Sequence, residues 1–509
     1  MADLTERPFP PGRYDLLVVG SGPGALQLTY SLRGCGIEHA VISQDDAPGG
    51  MFRKWPIFQR MLSWTKPYAD QARGSAAYER FDWNSLLGDE EPARAIMPTV
   101  MDGTSYFPSR PEMERGLVTF AERTALQVRY GCRWESTRRL DDGDIVLETS
   151  DGEYRARAVV FAVGVAQPWR PPVLEVQGVE QYGDLRPADS YRDRRVFIVG
   201  KQNSGFEIAT GLLPWARQII LASPSPAQLS VQTHSLVGVR ARYVQPYEDW
   251  ALAGGVVILD ASIESVERDG DVFHVKTKSA HEDHPRHFAV DDVIAATGFT
   301  CPLRDLPDIG VATFGQSRLP AQTPFWRSVT VDRIFFAGTI NQGAQGLRKH
   351  GIPSNSGAVQ GYRYNARVLA RHIAEEWFGK QPVRRPMKAD DVVPYLLAEA
   401  SRGPELWHQR SYLARVVSFD PSAGIADNGI QPLAHFVDAD GPDAVAIALE
   451  SNGKDDPYPT AYIRRRGQSL RERQLRPDPL LEFEGPAYQR ELAAALEPIL
   501  DPALTRVPQ

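Results

Sequence analysis

Cysteines are scarce in this chain and lie far apart along it. The 509 residues include three of them, Cys35, Cys132 and Cys301, and no C-x-x-C pattern occurs. This spacing excludes a local redox-active dithiol and offers no zinc-binding pattern. Each thiol is better explained as a small buried apolar side chain than as a nucleophile.

Long apolar runs and an excess of basic residues are absent as well. No run approaches the roughly 20 apolar residues of a membrane-spanning helix, and residues 1–14 lack the pattern of a signal peptide. The formal net charge of −7 argues against binding to nucleic acid. With 42% hydrophobic and 24% charged residues, the composition is typical of a globular protein. We therefore expect no nucleic-acid or membrane partner, and a cytoplasmic location.

Residues 14–42 have the pattern of a βαβ unit that binds a dinucleotide. Buried strands are predicted over residues 16–19 and 39–42, with a helix over residues 26–33 between them. The first turn fits G-x-G-x-x-A, in which glycines let the backbone approach a pyrophosphate at the helix N-terminus. The predicted phosphate-binding residues are Gly20, Gly22, Gly24 and Ala25. The alternative is a glycine-rich turn of another α/β protein.

The stretch after the second strand contributes to the same predicted site. Dinucleotide folds usually place an acidic residue at the end of this strand to bind ribose hydroxyls. Here Ser43 and Gln44 occupy that place and are predicted to bind the hydroxyls, with Asp45 and Asp46 just beyond. The loop that follows, Pro48 to Gly50 before an apolar residue, resembles the loop that many two-dinucleotide flavoproteins lay along the flavin, and an ordinary turn is the alternative. Its predicted contacts are Gly49, Gly50 and Met51.

A second strand, turn and helix begin at residue 195. The turn resembles the first one, but Gln202 replaces the middle glycine and narrows the approach to the backbone. The predicted nucleotide-binding residues are Gly200, Gln202, Asn203, Ser204 and Gly205. An NADP site usually has an arginine after the next strand; none is present there, and Lys201 or Arg240 could serve instead. We predict NADPH, with NADH as the alternative.

Two buried strands with similar endings determine the predicted domain order. The strand over residues 158–163 leads into Gly164, and the strand over residues 290–295 leads into Ala296 and Gly298. Because one ending precedes the second nucleotide unit and the other follows it, the second unit is predicted to be inserted in the first. The glycines expected to border the first nucleotide are Gly164, Gly298 and Gly338.

Taken together, these motifs resemble the two-dinucleotide-binding flavoproteins, in particular the flavin-containing monooxygenase-like group. A closer resemblance, over most of the chain, is to the FAD-dependent oxidoreductase domain-containing proteins. The stretches that carry it are Asp82 to Leu87, Tyr106 to Pro108, Thr233 and His234 with Val237 and Gly238, and Gly361 to Tyr364. The resemblance implies FAD as the first nucleotide, NADPH or NADH as the second, and a small-molecule substrate together with O2.

The predicted fold class is α/β, with two Rossmann-like dinucleotide-binding domains and a smaller α+β C-terminal domain. Residues 1–192 and 290–381 are expected to form the FAD-binding domain, residues 193–289 the inserted NAD(P)-binding domain, and residues 382–509 the C-terminal domain. In the last domain we predict strands over residues 415–419, 433–437 and 444–450 and a helix over residues 485–500. This domain caps the active site or forms a homodimer interface, and both alternatives stay open.

Residues 53–112 are rich in aromatic side chains, have little periodicity, and are predicted to form a lid over the flavin. Thr65 and Lys66 lie roughly where the monooxygenases place an Asn or Lys beside the flavin, which implies a catalytic role; a solvated loop is the alternative. The predicted substrate-binding residues are Trp64, Arg80, Trp83 and Arg348. His234 is predicted to be structural.

The resemblance implies an FAD-dependent monooxygenase that uses NAD(P)H and O2 to oxygenate a small nucleophilic substrate, preferably by N-hydroxylation of an amine or amino acid. One departure from the monooxygenase pattern is Pro187, which stands where that pattern has histidine. The first alternative is a flavin reductase or oxidase that inserts no oxygen. The second is a non-enzymatic protein with a vestigial flavin fold, which Ser43 and Gln202 would favour.

Overall fold

The computed structural model describes residues 7–54, 60–230, 238–248, 255–281 and 284–500. Up to residue 192 its strands are β1 (Gly12–Val19), β2 (Ala40–Ile42), β3 (Trp134–Arg139), β4 (Ile145–Thr149), β5 (Gly152–Phe161), β6 (Gln167–Pro168) and β7 (Glu180–Gln181). The helices of this part are α1 (Pro23–Gly34), α2 (Met97–Val100) and α3 (Arg110–Arg123).

Within the described ranges, the middle of the chain contains further strands and three further helices. The strands are β8 (Arg195–Val199), β9 (Gln218–Ser223), β10 (Val256–Asp269), β11 (Val272–Ser279), β12 (Pro285–Val290), β13 (Asp292–Ala295), β14 (Phe299–Thr300), β15 (Thr313–Phe314), β16 (Leu319–Pro320) and β17 (Ile334–Phe336). The helices are α4 (Asn203–Leu212), α5 (Ala241–Glu248) and α6 (Val359–Phe378).

The C-terminal part contains a further set of strands and helices. The strands are β18 (Arg385–Met387), β19 (Leu413–Asp420), β20 (Gly424–Pro432), β21 (Asp443–Glu450), β22 (Tyr458–Arg464) and β23 (Arg471–Gln474). The helices are α7 (Ala389–Arg402), α8 (Pro404–His408), α9 (Leu433–Asp438) and α10 (Pro486–Leu500).

The first sheet carries the strand that precedes the first glycine-rich turn. Strand β1 lies between β2 and β5 and is parallel to both, and β17 pairs in parallel with β5. Val19 is level with Phe161, which in turn is level with Phe336. The segments that leave β1, β5 and β17 therefore meet at one edge of the sheet, which is where nucleotide sites form in α/β folds. Strands β4 and β3 complete the sheet on the other side of β5.

The second sheet carries the second glycine-rich turn. Its order is β12-β11-β10-β9-β8-β13-β7, and β8 is parallel to both β9 and β13. Helix α4 follows β8 directly, as the sequence predicts. The sheet takes strands from residue 180 to residue 295, and the domain boundaries at residues 192 and 289 stay predictions. The sequence pattern predicts two short strands over residues 255–259 and 263–268, whereas the structure has one continuous strand, β10, from Val256 to Asp269.

The third sheet is antiparallel, in the order β18-β20-β19-β21-β22-β23. The strand predicted over residues 433–437 is wrong, because this segment forms α9. Leu433 and Phe436 are its buried residues, and their spacing of three places both on one face of a helical turn. A five-residue apolar run does not distinguish a strand from a helix by periodicity alone. The predicted helix over residues 485–500 is confirmed as α10.

Candidate functional site

A cavity of about 950 Å³ lies where the segments leaving the first sheet meet. Ligand pockets in proteins usually measure about 300–1,000 Å³, so this one has room for a dinucleotide-sized ligand. Its walls come from both glycine-rich turns, the loop after β2, and the first residues of α6. Segments that also contribute are residues 60–63, 162–168, 182–184, 302–304 and 338–339.

The first glycine-rich turn has two packing glycines and one glycine that faces open space. Gly20 has a φ of +128°, and a Cβ there would lie 2.6 Å from the carbonyl oxygen of Ala162. A Cβ on Gly24 would lie 2.4 Å from the Cα of Gly338. A Cβ on Gly22 would meet nothing within 4 Å, and Gly22 lines the cavity. The turn therefore leaves room for a ligand beside Gly22, as a pyrophosphate requires.

Two helix N-termini border this space. Gly22 is the N-cap residue of α1, and no side chain caps that helix. Helix α6 begins after Ala358, which also provides no side-chain cap, and Ala358 lines the cavity with Gly357. Because the first N–H groups of a helix have no partner within the helix, both ends can bind negatively charged groups. The residues present thus fit a dinucleotide that extends from the start of α1 towards the start of α6.

A hydrogen-bonded chain of side chains follows β2 at the cavity wall. Ser43 Oγ donates to Ser21 Oγ at 2.9 Å, and Ser21 Oγ donates to Asp45 Oδ2 at 3.0 Å. Ser43, Gln44 and Asp45 all line the cavity, and Lys54 Nζ lies 3.1 Å from Asp45 Oδ1. Asp45, a carboxylate outside the sequence prediction, therefore lines the cavity beyond the strand end where dinucleotide folds bind ribose hydroxyls. The only sequence signal for Asp45 was its position directly after Ser43 and Gln44, where an acidic residue is expected.

The loop predicted to lie along the cofactor packs on the first turn. Gly50 and Met51 line the cavity, and Gly49 lies just behind them, donating its N–H to the carbonyl oxygen of Ser21 at 3.1 Å. Gly50 has a φ of +56°, and a Cβ there would lie 3.1 Å from the Cα of Gly22. A glycine is needed at position 50 because of both the backbone conformation and this close approach.

The glycines that end the neighbouring strands have different positions. Gly164 and Gly338 line the cavity, and Thr339 Oγ1 accepts a hydrogen bond from the N–H of Val165 at 3.0 Å. Gly298 does not line it, whereas the ring of Phe299 does and packs edge-on against Tyr182 at 5.6 Å. Ala25 is buried behind the first turn.

The second glycine-rich turn reaches the same cavity through Asn203 and Ser204. Gly200 and Gly205 are packing glycines behind them, since a Cβ on Gly205 would lie 2.0 Å from the carbonyl oxygen of Gly200. Gln202 is exposed and extended, and it does not line the cavity. Two of the five predicted residues of this turn thus face the cavity.

Lys201 and Arg240, the two candidates for a 2′-phosphate contact, differ in availability. Lys201 is buried, donates from Nζ to the carbonyl oxygen of Leu259 at 2.9 Å, and pairs with Asp260. Arg240 is half-buried, and its backbone N–H donates to Asn203 Oδ1 at 3.0 Å, which ties it to the start of α4. The Arg240 guanidinium donates from Nη1 to Ser230 Oγ at 3.4 Å, so among the described residues only Lys201 of these two cations is paired with a carboxylate.

A buried carboxyl group on α4 also faces the cavity. Glu207 accepts from Tyr182 Oη at 2.8 Å and from Tyr243 Oη at 2.9 Å. Burial raises the pKa of Glu207 to about 7, although both tyrosine hydrogen bonds and the charge of Arg242 act in the opposite direction. This group therefore exchanges a proton near neutral pH. No sequence pattern indicated a role for Glu207, because its tyrosine partners lie on segments distant along the chain.

The predicted catalytic residues lie outside the cavity wall. Thr65 is buried, donates to Asp82 Oδ1 at 2.9 Å and accepts from Asn84 Nδ2 at 3.0 Å. Lys66 is exposed, with its Nζ 5.4 Å from the ring centroid of Phe81. The cavity is lined instead by residues 60–63 of the same segment, because Thr65 is held inward by the Asp82 and Asn84 side chains.

The predicted substrate residues lie away from the cavity as well. The ring of Trp64 lies 5.1 Å from that of Trp83, whose ring packs edge-on against His408 at 5.7 Å. The Arg80 guanidinium lies 4.8 Å from the ring centroid of Trp407. These three side chains therefore contact one another or α8 of the C-terminal part. Arg348 is exposed on a separate loop, with a φ of +46°, and His234 lies outside the described residues.

The cysteines are separate in space as well as in sequence. All three are free, and burial raises the pKa of each thiol, that of Cys301 to about 12. Cys132 lines the cavity, and its Sγ donates to Thr149 Oγ1 at 3.4 Å. Within the described ranges, no group of three His, Cys, Asp or Glu side chains could hold a metal ion. No helix of the described chain has the length and apolarity needed to cross a membrane.

Comparison with known proteins identifies curated relatives. FAD-dependent oxidoreductase domain-containing protein 2 of Mus musculus is 25% identical over 450 residues, which are 80% of this chain and 65% of the mouse protein. The protein of that name from Danio rerio is 30% identical over 237 residues, 45% of this chain and 33% of the fish protein. The chain thus spans less than two thirds of the length of these relatives. The predicted resemblance to this group is confirmed.

Solved structures share the fold at low sequence identity. The bacillithiol disulfide reductase of Bacillus cereus superposes with a TM-score of 0.56 and 18% identity, over 72% of this chain and 100% of its own. A flavin-containing monooxygenase of Stenotrophomonas maltophilia gives a TM-score of 0.53 and 19% identity, over 72% and 99%. These similarities confirm the predicted fold class of two dinucleotide-binding domains.

The two glycine-rich turns and the strands between them lie within one family match. Residues 17–338, more than half of the chain, match the family described as pyridine nucleotide-disulphide oxidoreductase. The match begins inside β1 and ends at Gly338, so it includes nearly every segment that lines the cavity. The chain therefore belongs to the pyridine nucleotide-disulphide oxidoreductase family.

Proposed function

We propose that this chain binds FAD and NAD(P)H and transfers one oxygen atom of O2 to a small nucleophilic substrate, preferably the nitrogen of an amine. The observation that carries the proposal is that one cavity contacts both glycine-rich turns, so that two nucleotides can meet in it. The three cysteines form no pair that could accept the electrons as a disulfide. We infer that the acceptor is a small molecule, O2 included.

The residues for FAD are those around the first turn. FAD, when bound, accepts a hydride from a nicotinamide and passes electrons on to the second substrate. The open space beside Gly22 and the start of α1 would hold the pyrophosphate, and Asp45 would bind ribose hydroxyls. The start of α6, with Gly357 and Ala358, would stabilise negative charge on the reduced ring through the helix dipole.

The residues for NAD(P)H are those at the start of α4. Asn203 and Ser204 face the cavity, and Arg240 is fixed beside Asn203 by a backbone hydrogen bond. Glu207, one turn further along α4, can hold or release a proton at its carboxyl oxygen near neutral pH because burial raises its pKa to about 7. Tyr182 and Tyr243 orient that carboxyl group through both of its oxygens.

Arg240→Gln is expected to separate the two nicotinamide nucleotides. If Arg240 meets the 2′-phosphate, its loss removes a charge-assisted hydrogen bond and raises KM for NADPH about tenfold, with little change for NADH. Steady-state reduction of the bound flavin by each nucleotide measures this. Arg217→Gln is the control, because Arg217 is exposed at the other end of the same sheet, just before β9. Equal changes for both nucleotides would contradict the assignment.

Oxygen insertion is tested with labelled dioxygen. We expect one atom of ¹⁸O in the hydroxylated product when an amine substrate, NADPH and ¹⁸O₂ are supplied to the FAD-loaded protein. Mass spectrometry of the product measures the label, and a peroxide assay measures uncoupled oxygen consumption. Unlabelled product with all consumed oxygen recovered as hydrogen peroxide would overturn the proposal.

A reductase or oxidase that inserts no oxygen is the second candidate. The observation that favours it is the position of Thr65 and Lys66, neither of which lines the cavity. The side chains predicted to be catalytic are therefore not part of the cavity wall. In the labelling experiment this candidate predicts NADPH oxidation with an added electron acceptor and no label in any organic product.

A further inference from the structure

The predicted substrate residues meet a second arginine that the sequence did not single out. The guanidinium carbon of Arg80 lies 4.8 Å from the ring centroid of Trp407, and that of Arg410 lies 4.6 Å from the same centroid. Arg80 belongs to the segment between β2 and α3, whereas Arg410 follows α8 in the C-terminal part. Two guanidinium groups from distant parts of the chain thus share one tryptophan ring.

Neither guanidinium has an acidic partner among the described residues. Arg80 donates from Nη1 to the carbonyl oxygen of Ser401 at 2.5 Å, and its Nε is buried without a hydrogen-bond partner. Arg410 forms no hydrogen bond or ion pair with any other residue that the structure describes. Both groups are half-buried, so each loses part of its hydration without a carboxylate in return. Buried charges without a counter-ion are costly and rare in folded proteins.

The same positive charges act on a neighbouring histidine, His408. Burial, with the charges of Arg363, Arg80 and Arg410, holds the pKa of His408 well below its usual range. His408 Nε2 donates to the carbonyl oxygen of Glu79 at 3.1 Å, and its ring packs against Trp83. The cluster therefore combines guanidinium groups with aromatic rings. Guanidinium groups of this kind bind planar carboxylates through paired hydrogen bonds.

The cluster lies directly behind the cavity wall. Trp64, which packs on Trp83, follows Ser63, and Ser63 lines the cavity. Gln409, the neighbour of Arg410, accepts from the N–H of Asn355 at 3.0 Å and donates to Ser356 Oγ at 3.2 Å. The next residue, Gly357, lines the cavity at the start of α6. Trp64 is thus one residue along the chain from the cavity lining, and Arg410 is connected to that lining through the hydrogen bond between its neighbour Gln409 and Ser356.

We propose that Arg80 and Arg410 form a binding site for the carboxylate of a small organic acid, whose body contacts Trp407 and Trp83. As a carboxylate site the proposal stands on its own. The further statement that this acid is the substrate rests on the proposed function. A carboxylate and a phosphate are both oxyanions that two arginines can bind, so a phosphate group is the alternative ligand. A carboxylate fits better because its planar shape matches a guanidinium, and one negative charge leaves the ligand body apolar enough for the indole rings.

The test measures thermal stabilisation of the full-length, FAD-loaded protein by chosen probes at constant ionic strength. A ligand that binds only the folded state raises Tm with its concentration. The probes are phenylacetate, its uncharged analogue phenylacetamide, and inorganic phosphate. We expect phenylacetate to raise Tm and phenylacetamide to have no effect. An equal response to the two aromatic probes, or a stronger response to phosphate than to phenylacetate, would overturn the carboxylate assignment.

Matched variants assign the response to the two arginines. In Arg410→Gln and Arg80→Gln we expect the apparent Kd for phenylacetate to rise about tenfold, the effect of one lost charge-assisted hydrogen bond. Arg192→Gln is the control, because Arg192 also lies over a tryptophan ring, that of Trp215 at 4.9 Å, but on an exposed surface. Arg410→Gln remains informative if Arg80→Gln unfolds, since Arg410 makes no hydrogen bond to the described chain.

The outcomes separate this proposal from the proposed function. Because Tm does not depend on turnover, a carboxylate site can be confirmed even if no labelled oxygen appears in any product. An unchanged phenylacetate response in both arginine variants would overturn the site, whatever the labelling experiment shows. If the site is confirmed and the acid is the substrate, the two variants raise KM for a carboxylate-bearing amine while leaving its uncharged amide unchanged. Equal KM changes for both compounds would overturn the substrate assignment alone.

Discussion

Gly22→Val is expected to give a folded protein that no longer retains FAD. A Cβ at this position meets no atom of the chain within 4 Å, and the backbone is extended with a φ of −72°, which valine adopts readily. The valine side chain would instead occupy the space next to the first N–H groups of α1. Losing two charge-assisted hydrogen bonds to a pyrophosphate would weaken FAD binding by about a hundredfold or more.

The measurement is the flavin content of the purified variant and its FAD affinity by titration. Gly34→Val is the matched control, because Gly34 ends the same helix, also meets nothing within 4 Å, and lies far from the cavity wall. The apo forms of both variants should unfold within about 1 kcal/mol of the unmodified apo protein. Normal FAD content in Gly22→Val would show that the nucleotide does not cross this turn.

Gly24, in the same turn, is expected to respond to substitution differently from Gly22. A Cβ on Gly24 would lie 2.4 Å from the Cα of Gly338 and 2.8 Å from its backbone nitrogen, so backbone atoms would have to move. Gly24→Val should therefore lose the folded state as well as FAD. Two glycines of one motif thus have different physical roles, and only the structure distinguishes them.

The parts of the fold that were predicted correctly depend on local patterns. The apolar run of β1, its glycine-rich turn and α1 are adjacent in sequence, and each has a signature in residue type and spacing. The helix α9 was predicted as a strand because its short apolar run carries no clear period. Strand β10 was predicted as two strands because Asp260 and Ser262 interrupt its apolar residues, whereas its pairing with both β9 and β11 makes it one strand.

Site residues could be predicted only where a local sequence motif determines their position. Ser43 and Gln44 were found from their position after β2, and they face the cavity together with Asp45. Thr65 was placed beside the flavin because of the resemblance to the monooxygenases. The structure instead turns it towards Asp82, a contact 17 residues away that no periodicity indicates.

Side chains that meet across the fold had no signal in the sequence. Arg80 and Arg410 share the ring of Trp407 although they belong to different ends of the chain. Glu207 likewise accepts hydrogen bonds from Tyr182, which precedes β8 in the chain, and from Tyr243, which follows β9. These contacts depend on how the C-terminal part and the second sheet are placed against the first, and composition or spacing cannot specify that.

Glu207→Gln is expected to make the protein more stable at alkaline pH than the unmodified chain and to flatten its pH dependence. Burial raises the pKa of Glu207 to about 7 in the folded state, whereas an unfolded glutamate titrates near 4.3. Between these values the folded protein binds more protons than the unfolded one, so its stability falls as pH rises. This contribution is fully present below about pH 4.3 and is lost by the time pH has passed about 7.

The size of the effect follows from the same two values. From pH 5 to pH 8 the unmodified chain should lose about 2–3 kcal/mol of unfolding free energy through this group, and Glu207→Gln should not. Urea unfolding of the apo proteins at a series of pH values, followed by circular dichroism, measures the difference. Glu175→Gln is the control, since Glu175 is exposed and remote from the cavity, and its profile should parallel that of the unmodified chain.

The hydrogen-bond partners of Glu207 provide a second test of this prediction. Tyr182 and Tyr243 both stabilise the charged carboxylate, and Arg242, which donates to Tyr243 Oη at 2.8 Å, does so through its charge. Removing the hydroxyl in Tyr243→Phe should therefore raise the pKa of Glu207 further and move the loss of stability to higher pH. If Tyr243→Phe instead moves that loss to lower pH, or if Glu207→Gln keeps the slope of the unmodified chain, then another group carries the proton at this wall of the cavity.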